Sequence, residues 1–458
     1  SYNCAYIAPV SWRDLSEIMY VSMCGAGCGF SVEPYNVEKF PQIQKQTGEM
    51  APTIVVEDSK TGWCEAFVKA CSVWEQGMDV KIDYSKVRPA GARLMTMGGR
   101  ASGPAPLQEL MTFTRRKILG RQGRRLSTID LHDIICQIGL IVVAGGVRRS
   151  ALISLSNLDD TEMRDAKKGA FWQTEGQRSM ANNSAVYEVK PSANEFLNEW
   201  SALVKAGTGE RGIFNRGGLE AQVPQRRWAK IGDKPDVGMN PCGEIYLQSK
   251  QFCNLTSIVV RPNDDMKNLK RKIRVATLLG TYQATLTDFK YLSKEWKQNC
   301  EDEQLLGVSI TGYYDNEMIR DDKNLEVLRK ETIKENKKYA KRFGKKQSTS
   351  ITCVKPHGNS GQLLGVGSGM HPWFARYFIR RVRITATDPL LEFAKSQNVP
   401  VKPEVGYSTS NAATMVLEFP VKAPTGVIVS KDVSALDLLE ECERLKIHFT
   451  EPTTSATL

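Results

Sequence analysis

Much that a 458-residue chain can carry is missing from this one. It has no run of about 18 uncharged apolar residues, the length a membrane-spanning helix needs. The longest candidate, IICQIGLIVV over 134–143, is far shorter and is interrupted by Gln137 and Gly139. The opening SYNCAYIAPVSW has neither the basic start nor the apolar stretch of a secretory signal. No GxxxxGK(S/T) phosphate loop occurs, and CGAGCGF (24–30) is rich in glycine without fitting GxGxxG. A P-loop NTPase and a dinucleotide-binding dehydrogenase are therefore disfavoured. There is no CxxC pair, so a thioredoxin-like mechanism lacks its motif. Cys24 and Cys28 are separated by three residues and Cys64 and Cys71 by six, but the four histidines, His132, His357, His371 and His448, stand alone, so a structural zinc site is disfavoured.

Acidic residues are also in short supply, with 51 Asp and Glu against 62 Lys and Arg, a formal net charge of +11. Such an excess calls for anionic partners: nucleic acid, an acidic membrane surface or small polyphosphates. Two segments are especially basic, RRKILGRQGRR (115–125) in a glycine-broken stretch and RKETIKENKKYAKRFGKK (329–346), which reads as a solvated helix. Neither has the interleaved aromatics that stack bases, which weakens a single-strand nucleic-acid reading. Eleven cysteines, an odd number scattered without a small-domain framework, argue for reduced thiols in the cytoplasm rather than a disulfide scaffold.

What is present is alternation. STIDLHDIICQIGLIVV opens on polar caps and repeats apolar residues at Leu131, Ile134, Ile135, Ile138 and Val142, the face of a helix. AGGVRRS (144–150) breaks that helix, and ALISLS reads as a strand. The same rhythm recurs at GRASGPAPLQELMTF and LEFAKSQNVP, and it predicts an α/β fold, either a barrel or a wound sheet.

The chemistry gathers in NPCGEIYLQSKQFCNL (240–255). Pro241 before Cys242 and Gly243 after it forbid regular helix and predict a tight loop that presents one thiol to a cavity. A lone buried cysteine is ordinarily inert packing. Here its neighbours Asn240, Pro241, Gly243 and Glu244 are polar or restrict the backbone, which is wasteful around a packing thiol and useful around a reactive one. Cys253 follows eleven positions after Cys242.

NPCGEI with the following CNL resembles the active-site signature of ribonucleotide reductase catalytic chains, with a cysteine spacing similar to that of the adenosylcobalamin-dependent, class II branch. SYNCAYIAP resembles the first barrel strand of that family with its redox cysteine, and SMCGAGCGFSV the glycine-rich segment after it. GGRASGPAPL, AGGVRRSA, MANNSAV, LGVSITGYYD, TCVKPHGNSGQLL, SGMHP and YFIRRVRI match further family blocks in order, over nearly the whole chain. His357 stands where family members often have serine or threonine.

The resemblance implies a ten-stranded α/β barrel of two parallel five-stranded halves, mutually antiparallel, with a central finger loop that carries Cys242. It implies one such domain over residues 1–458, without the N-terminal ATP-binding cone and the C-terminal redox tail. Cys242 would carry a thiyl radical that takes the substrate 3′-hydrogen, Glu244 would be the general base, and Asn240 would hold a substrate hydroxyl. Cys4 and Cys253 would supply two electrons by closing to a disulfide, which needs Cα atoms within about 7 Å.

VKPHGNSGQLL has the form of a turn leading into a helix, so Pro356, His357, Gly358, Asn359 and Ser360 are candidate polyphosphate contacts. Leu255 is a further candidate substrate contact. An ordinary helix capped by Asn359 or Ser360 is the plainer reading of the same stretch. Gly145, Gly146, Arg148 and Arg149 correspond to the loop that senses a deoxynucleotide effector; without the resemblance, these arginines read as solvated charges.

The implied cofactor is adenosylcobalamin, the alternative being a radical delivered by a separate metal-containing, ferritin-like subunit. The implied partners are a ribonucleotide, a deoxynucleoside triphosphate effector, a thioredoxin-like or other dithiol reductant, and a second copy of the chain. No protein-bound metal, membrane or nucleic acid is expected. A glycyl-radical enzyme is disfavoured, because RVRI lacks the glycine of that motif. A basic nucleic-acid-binding protein would explain the charge but leave Asn240, Cys242, Glu244 and Cys253 without purpose.

Overall fold

The structure, a computed structural model, describes residues 2–93, 100–144, 151–386, 388–404, 408–409, 412 and 414–451. Its largest sheet has six strands. Five of them, Cys4–Ile7, Gly27–Ser31, Leu152–Asn157, Ala181–Tyr187 and Gly212–Asn215, lie side by side and run parallel. Helical segments separate each from the next in sequence, as parallel pairing demands, since a tight turn cannot join parallel strands. The sixth strand, Gln251–Cys253, pairs antiparallel with Cys4–Ile7, with Cys4 opposite Cys253 and Tyr6 opposite Gln251.

One residue later the chain is in a second sheet. Leu255–Val259 pairs parallel with Gly307–Thr311, and a parallel bridge joins Val308 to Thr352. Asn254 makes the crossing: its carbonyl accepts from Gly307 N–H at 2.7 Å, and its side-chain amide donates to the Gly280 carbonyl at 2.7 Å. Pairing along residues 350–354 stops short because Lys355 N–H donates to Ser309 Oγ at 2.8 Å and Pro356 has no N–H to offer. A third, antiparallel sheet orders Tyr377–Thr385, Thr414–Lys422 and Val401–Pro403.

The α/β expectation holds. One parallel run of five strands is present, and no closed ten-stranded barrel is detected among the described residues.

Strand alternation decides what faces where. Ala5, Ile7, Cys28 and Phe30 point into a core built with the helices Trp12–Met23, Lys60–Glu75, Ala105–Leu119 and Thr128–Ala144. Cys4, Tyr6, Ile153 and Leu155 point to the opposite face, into a second cluster with Met239, Ile245, Leu247, Cys253, Leu255 and Cys353. The helix predicted around Leu131, Ile134, Ile135 and Ile138 is Thr128–Ala144, and Ser127 starts it by donating backbone and hydroxyl hydrogens to Asp130.

In the first basic segment Arg115, Lys117, Arg121 and Arg125 are spent inside the fold, on Asp79, Asp133, Asp130 and the Phe40 carbonyl. The second is largely helix Asp322–Arg342, which buries Leu325, Leu328 and Ala340 and turns lysines such as Lys330 outward. No helix of the described residues is long and apolar enough to cross a membrane.

Candidate active site

Residues 238–247 fold as a hairpin, Gly238–Met239 pairing antiparallel with Tyr246–Leu247. Asn240 ties both sides of its tip, its backbone N–H donating to the Ile245 carbonyl at 3.1 Å and its Oδ1 accepting from Ile245 N–H at 2.9 Å. Gly243 N–H closes the turn on the Asn240 carbonyl at 2.9 Å, with φ +76°, a left-handed conformation that costs glycine little. The hairpin presses on the inner face of the six-stranded sheet so closely that a β-carbon at Gly29 would overlap the Met239 carbonyl oxygen. The glycine-rich CGAGCGF stretch, which fits no nucleotide-binding motif, thus lets one backbone pass over another.

The tip presents Cys242, partly exposed, while Glu244 is fully buried. Neither Glu244 carboxylate oxygen has a hydrogen-bond partner among the described residues, and the same is true of Asn240 Nδ2. Buried acceptors and donors left unpaired cost free energy, so they mark a place where another molecule's polar groups belong. Lys355 reaches the same spot, with Nζ 3.5 Å from Glu244 Oε1 and 3.8 Å from Cys242 Sγ. Burial, then the Glu244 charge, pushes the Cys242 thiol up to about 12, so the sulfur keeps its hydrogen at neutral pH.

Cys4 and Cys253 face each other across the antiparallel strand pair, 3% and 0% exposed. Directly opposed residues in such a pair have Cα atoms about 4.5–5.5 Å apart, inside the range a disulfide spans. The two thiols are unlike. The neighbouring Cys253 thiol draws Cys4 below the ordinary value against its burial, with Lys355 helping. Burial and then Cys4 push Cys253 well above that value.

Pro356–Ser360 forms a turn into the short helix Ser360–Leu363. Gly358, Asn359 and Ser360 are exposed, and their N–H groups donate to no other group among the described residues. His357 is buried at φ +52° and points inward, its Nε2 2.9 Å from Ser257 Oγ and its Nδ1 2.8 Å from Ser360 Oγ. Burial, then Lys355, lowers its pKa to about 4, which leaves the ring neutral at pH 7. It is a strut joining the turn to the strand Leu255–Val259. Leu255 itself is buried in the apolar cluster beneath the tip. Arg380, on the strand Tyr377–Thr385, donates to Asn359 Oδ1 at 2.9 Å, whereas Arg381 and Arg383 on the other side of that strand pair with Glu418 and Glu404.

The fold matches a solved B12-dependent, class II ribonucleotide reductase with a TM-score of 0.78, covering 99% of this chain and 74% of that one at 22% identity. In sequence, the chain is 29% identical over 477 aligned positions to the adenosylcobalamin-dependent ribonucleoside-triphosphate reductase of Lacticaseibacillus paracasei, covering 88% of this chain and 61% of that protein. It is 26% identical over 476 positions to the enzyme of the same description from Euglena gracilis, covering 100% of this chain and 62% of that protein. This chain is similar in sequence to adenosylcobalamin-dependent ribonucleoside-triphosphate reductases and in fold to a class II ribonucleotide reductase. No protein-family model matches it. It spans about three-fifths of the length of these curated relatives.

Of the candidate residues, Asn240, Cys242 and Glu244 meet at the tip, and Cys4 and Cys253 meet at the strand pair beside it. The candidate effector-loop residues Gly145, Gly146, Arg148 and Arg149 lie outside the described residues. Sequence reasoning passed over Lys355 and Arg380. Both stood inside quoted motifs, but among 62 basic residues neither carries a signal until the fold brings it to the site.

Proposed function

We propose that the chain reduces ribonucleotides to 2′-deoxyribonucleotides by thiyl-radical chemistry. What supports this reading is the meeting of one partly exposed thiol, an unpaired buried carboxylate and a facing pair of buried thiols close enough to act on one another. The neutral Cys242 thiol suits hydrogen-atom exchange, because it keeps the hydrogen that a thiolate would have lost. As a sulfur radical, Cys242 takes the 3′-hydrogen; S–H and sugar C–H bonds are close in strength, so the step is nearly balanced. Glu244 takes the 3′-hydroxyl proton, which helps the 2′-hydroxyl leave as water with a proton from the thiol pair. Of the two thiol hydrogens of Cys4 and Cys253, one leaves in the water and the other goes to C2′; the pair gives two electrons and closes to a disulfide, Glu244 returns its proton to the 3′-oxygen, and Cys242 returns its hydrogen to C3′.

Adenosylcobalamin fits the partly exposed sulfur of the site: Cys242, flanked by Pro241 and Gly243, would face it. When bound, the cofactor supplies the radical that Cys242 receives. The relatives named above are all described as adenosylcobalamin-dependent, which favours this source over a ferritin-like subunit. The exposed turn Gly358–Ser360, with Arg380 beside it, would hold the substrate polyphosphate, and the relatives' description favours a triphosphate. The same reading includes closure of the second half into a ten-stranded barrel, a deoxynucleotide effector, a dithiol reductant, a second copy of the chain and a cytoplasmic location.

The test is to incubate the protein with each ribonucleoside di- and triphosphate and a dithiol, with and without adenosylcobalamin, and to measure deoxynucleotide. Product only with the cofactor is expected, and product from neither condition argues against the reading. Cys4→Ser and Cys253→Ser are expected to bind substrate normally and to lose multiple-turnover reduction. Undiminished turnover in either would exclude the pair.

A further inference from the structure

Lys355 has no place in the chemistry described so far, yet it is the cation at its centre. It follows the strand-like residues 350–354 and is fixed at its backbone by the bond to Ser309 Oγ. Its side chain then runs inward, and its two polar neighbours there are Glu244 and Cys242. Burial works against its charge, but Glu244 first and then Cys4, Cys242 and Cys253 outweigh burial and raise its pKa. Four groups of the site are therefore felt by one ammonium, with buried Cys353 beneath and neutral His357 two residues along.

Glu244 shows why such a cation is needed. A carboxylate taken out of water, with neither oxygen hydrogen-bonded, is far more stable protonated unless a positive charge lies within a few ångströms. A protonated Glu244 has no basicity to offer. At 3.5 Å, Lys355 is close enough to hold the charge without being locked to one oxygen, since the contact is longer than a charge-assisted hydrogen bond.

We infer that Lys355 is a positioning residue for Glu244: its ammonium keeps the buried carboxylate ionised and free to accept the substrate hydroxyl proton, and itself stays protonated throughout. The inference rests on the radical reading above for the identity of that hydroxyl. The proton taken from the 3′-oxygen ends on a Glu244 oxygen, and Lys355 neither gains nor loses one. The pairing is an active-site device rather than a structural brace, because Lys355 is part-exposed beside Cys242 while the brace of this region is the fully buried Arg227–Glu303 pair.

Two measurements decide it, on Lys355→Met, Lys355→Arg and Glu244→Gln, each first shown to unfold cooperatively like the wild type. The first needs neither cofactor nor turnover. Infrared spectra at neutral pH, with the wild type minus Glu244→Gln difference assigning the group, are expected to show a carboxylate in the wild type and in Lys355→Arg and a carboxylic acid in Lys355→Met. A carboxylate in Lys355→Met overturns the inference. If Lys355→Met does not fold, Lys355→Gln replaces it with the same expectations. The second measurement is deoxynucleotide formation from ribonucleoside triphosphates with adenosylcobalamin and dithiol. Loss of the base should lower kcat about 100-fold in Lys355→Met with KM changed less than about three-fold, and Lys355→Arg should recover much of the loss. An unchanged kcat, or an effect on KM alone, overturns it. Should the wild type make no deoxynucleotide, the radical reading fails, while the infrared result still decides the state of Glu244.

Discussion

Cys242, Cys4 and Cys253 share one neighbourhood but not one ionisation behaviour, and the differences trace to the groups beside each. Their types and order were legible in the sequence, because proline and glycine around a thiol leave few conformations and a polar setting leaves few purposes. The role of His357 was not. Its ring lies on Ser257, which is 100 residues away in sequence, and only tertiary packing turns it inward and keeps it neutral. That burial has a consequence in pH. An unfolded histidine takes up a proton near pH 6.5, but folded His357 does so only near 4. The unfolded state thus binds more protons in that window, so the contribution is whole above about 6.5 and is lost as pH falls toward 4, by about 3 kcal/mol at most. Urea unfolding at pH 7 and at pH 4.5 is expected to show a smaller acid loss in His357→Asn than in the wild type.

At the scale of elements, the helix Thr128–Ala144 and the strand Leu152–Asn157 after it followed from apolar spacing, and the glycine-rich segment before Phe30 could be seen but not explained. Its purpose depends on a hairpin more than 200 residues later crossing Gly29, and no local pattern reports such a crossing. The anchor of that hairpin was likewise hidden. Arg227 is fully buried; it donates to Glu303 Oε2 at 2.9 Å and to the Tyr246 carbonyl at the foot of the hairpin. Glu303 in turn accepts from Gln248 at 2.7 Å, Gln251 at 3.0 Å and Thr349 at 2.7 Å, so one carboxylate joins the hairpin to the strand that ends in Cys253. Burial opposes its charge, but Arg227 and these donors prevail and lower its pKa. Arg227→Met would strand that charge, and it is expected to cost about 3–5 kcal/mol in chemical denaturation, enough to loosen both elements.

For the whole molecule, the sequence pointed to α/β architecture and an active centre assembled from distant segments. The incomplete second sheet was beyond it, because whether residues 350–354 add a full strand turns on where Lys355 N–H and the imide of Pro356 fall. The +11 charge has a use consistent with polyphosphate ligands, although much of the basic 115–125 segment is consumed internally. Oxidation of the thiol pair tests the architecture as a unit. A bond between Cys4 and Cys253 closes a loop of about 250 residues, and the loss of unfolded-chain entropy is worth about 5 kcal/mol. Mild oxidation should therefore raise the denaturant midpoint of the wild type and leave that of Cys4→Ser unchanged.

Asn254 alone separates Cys253 from the second sheet, and Cys4 already stands in register across from it. A disulfide between them would be made and broken at a seam whose two sides are held in place by backbone pairing, so the scaffold would have little to rearrange. It also means that a strain applied to either sheet arrives at the sulfur within one peptide unit, which turns the oxidation state of the pair into something the rest of the molecule can feel.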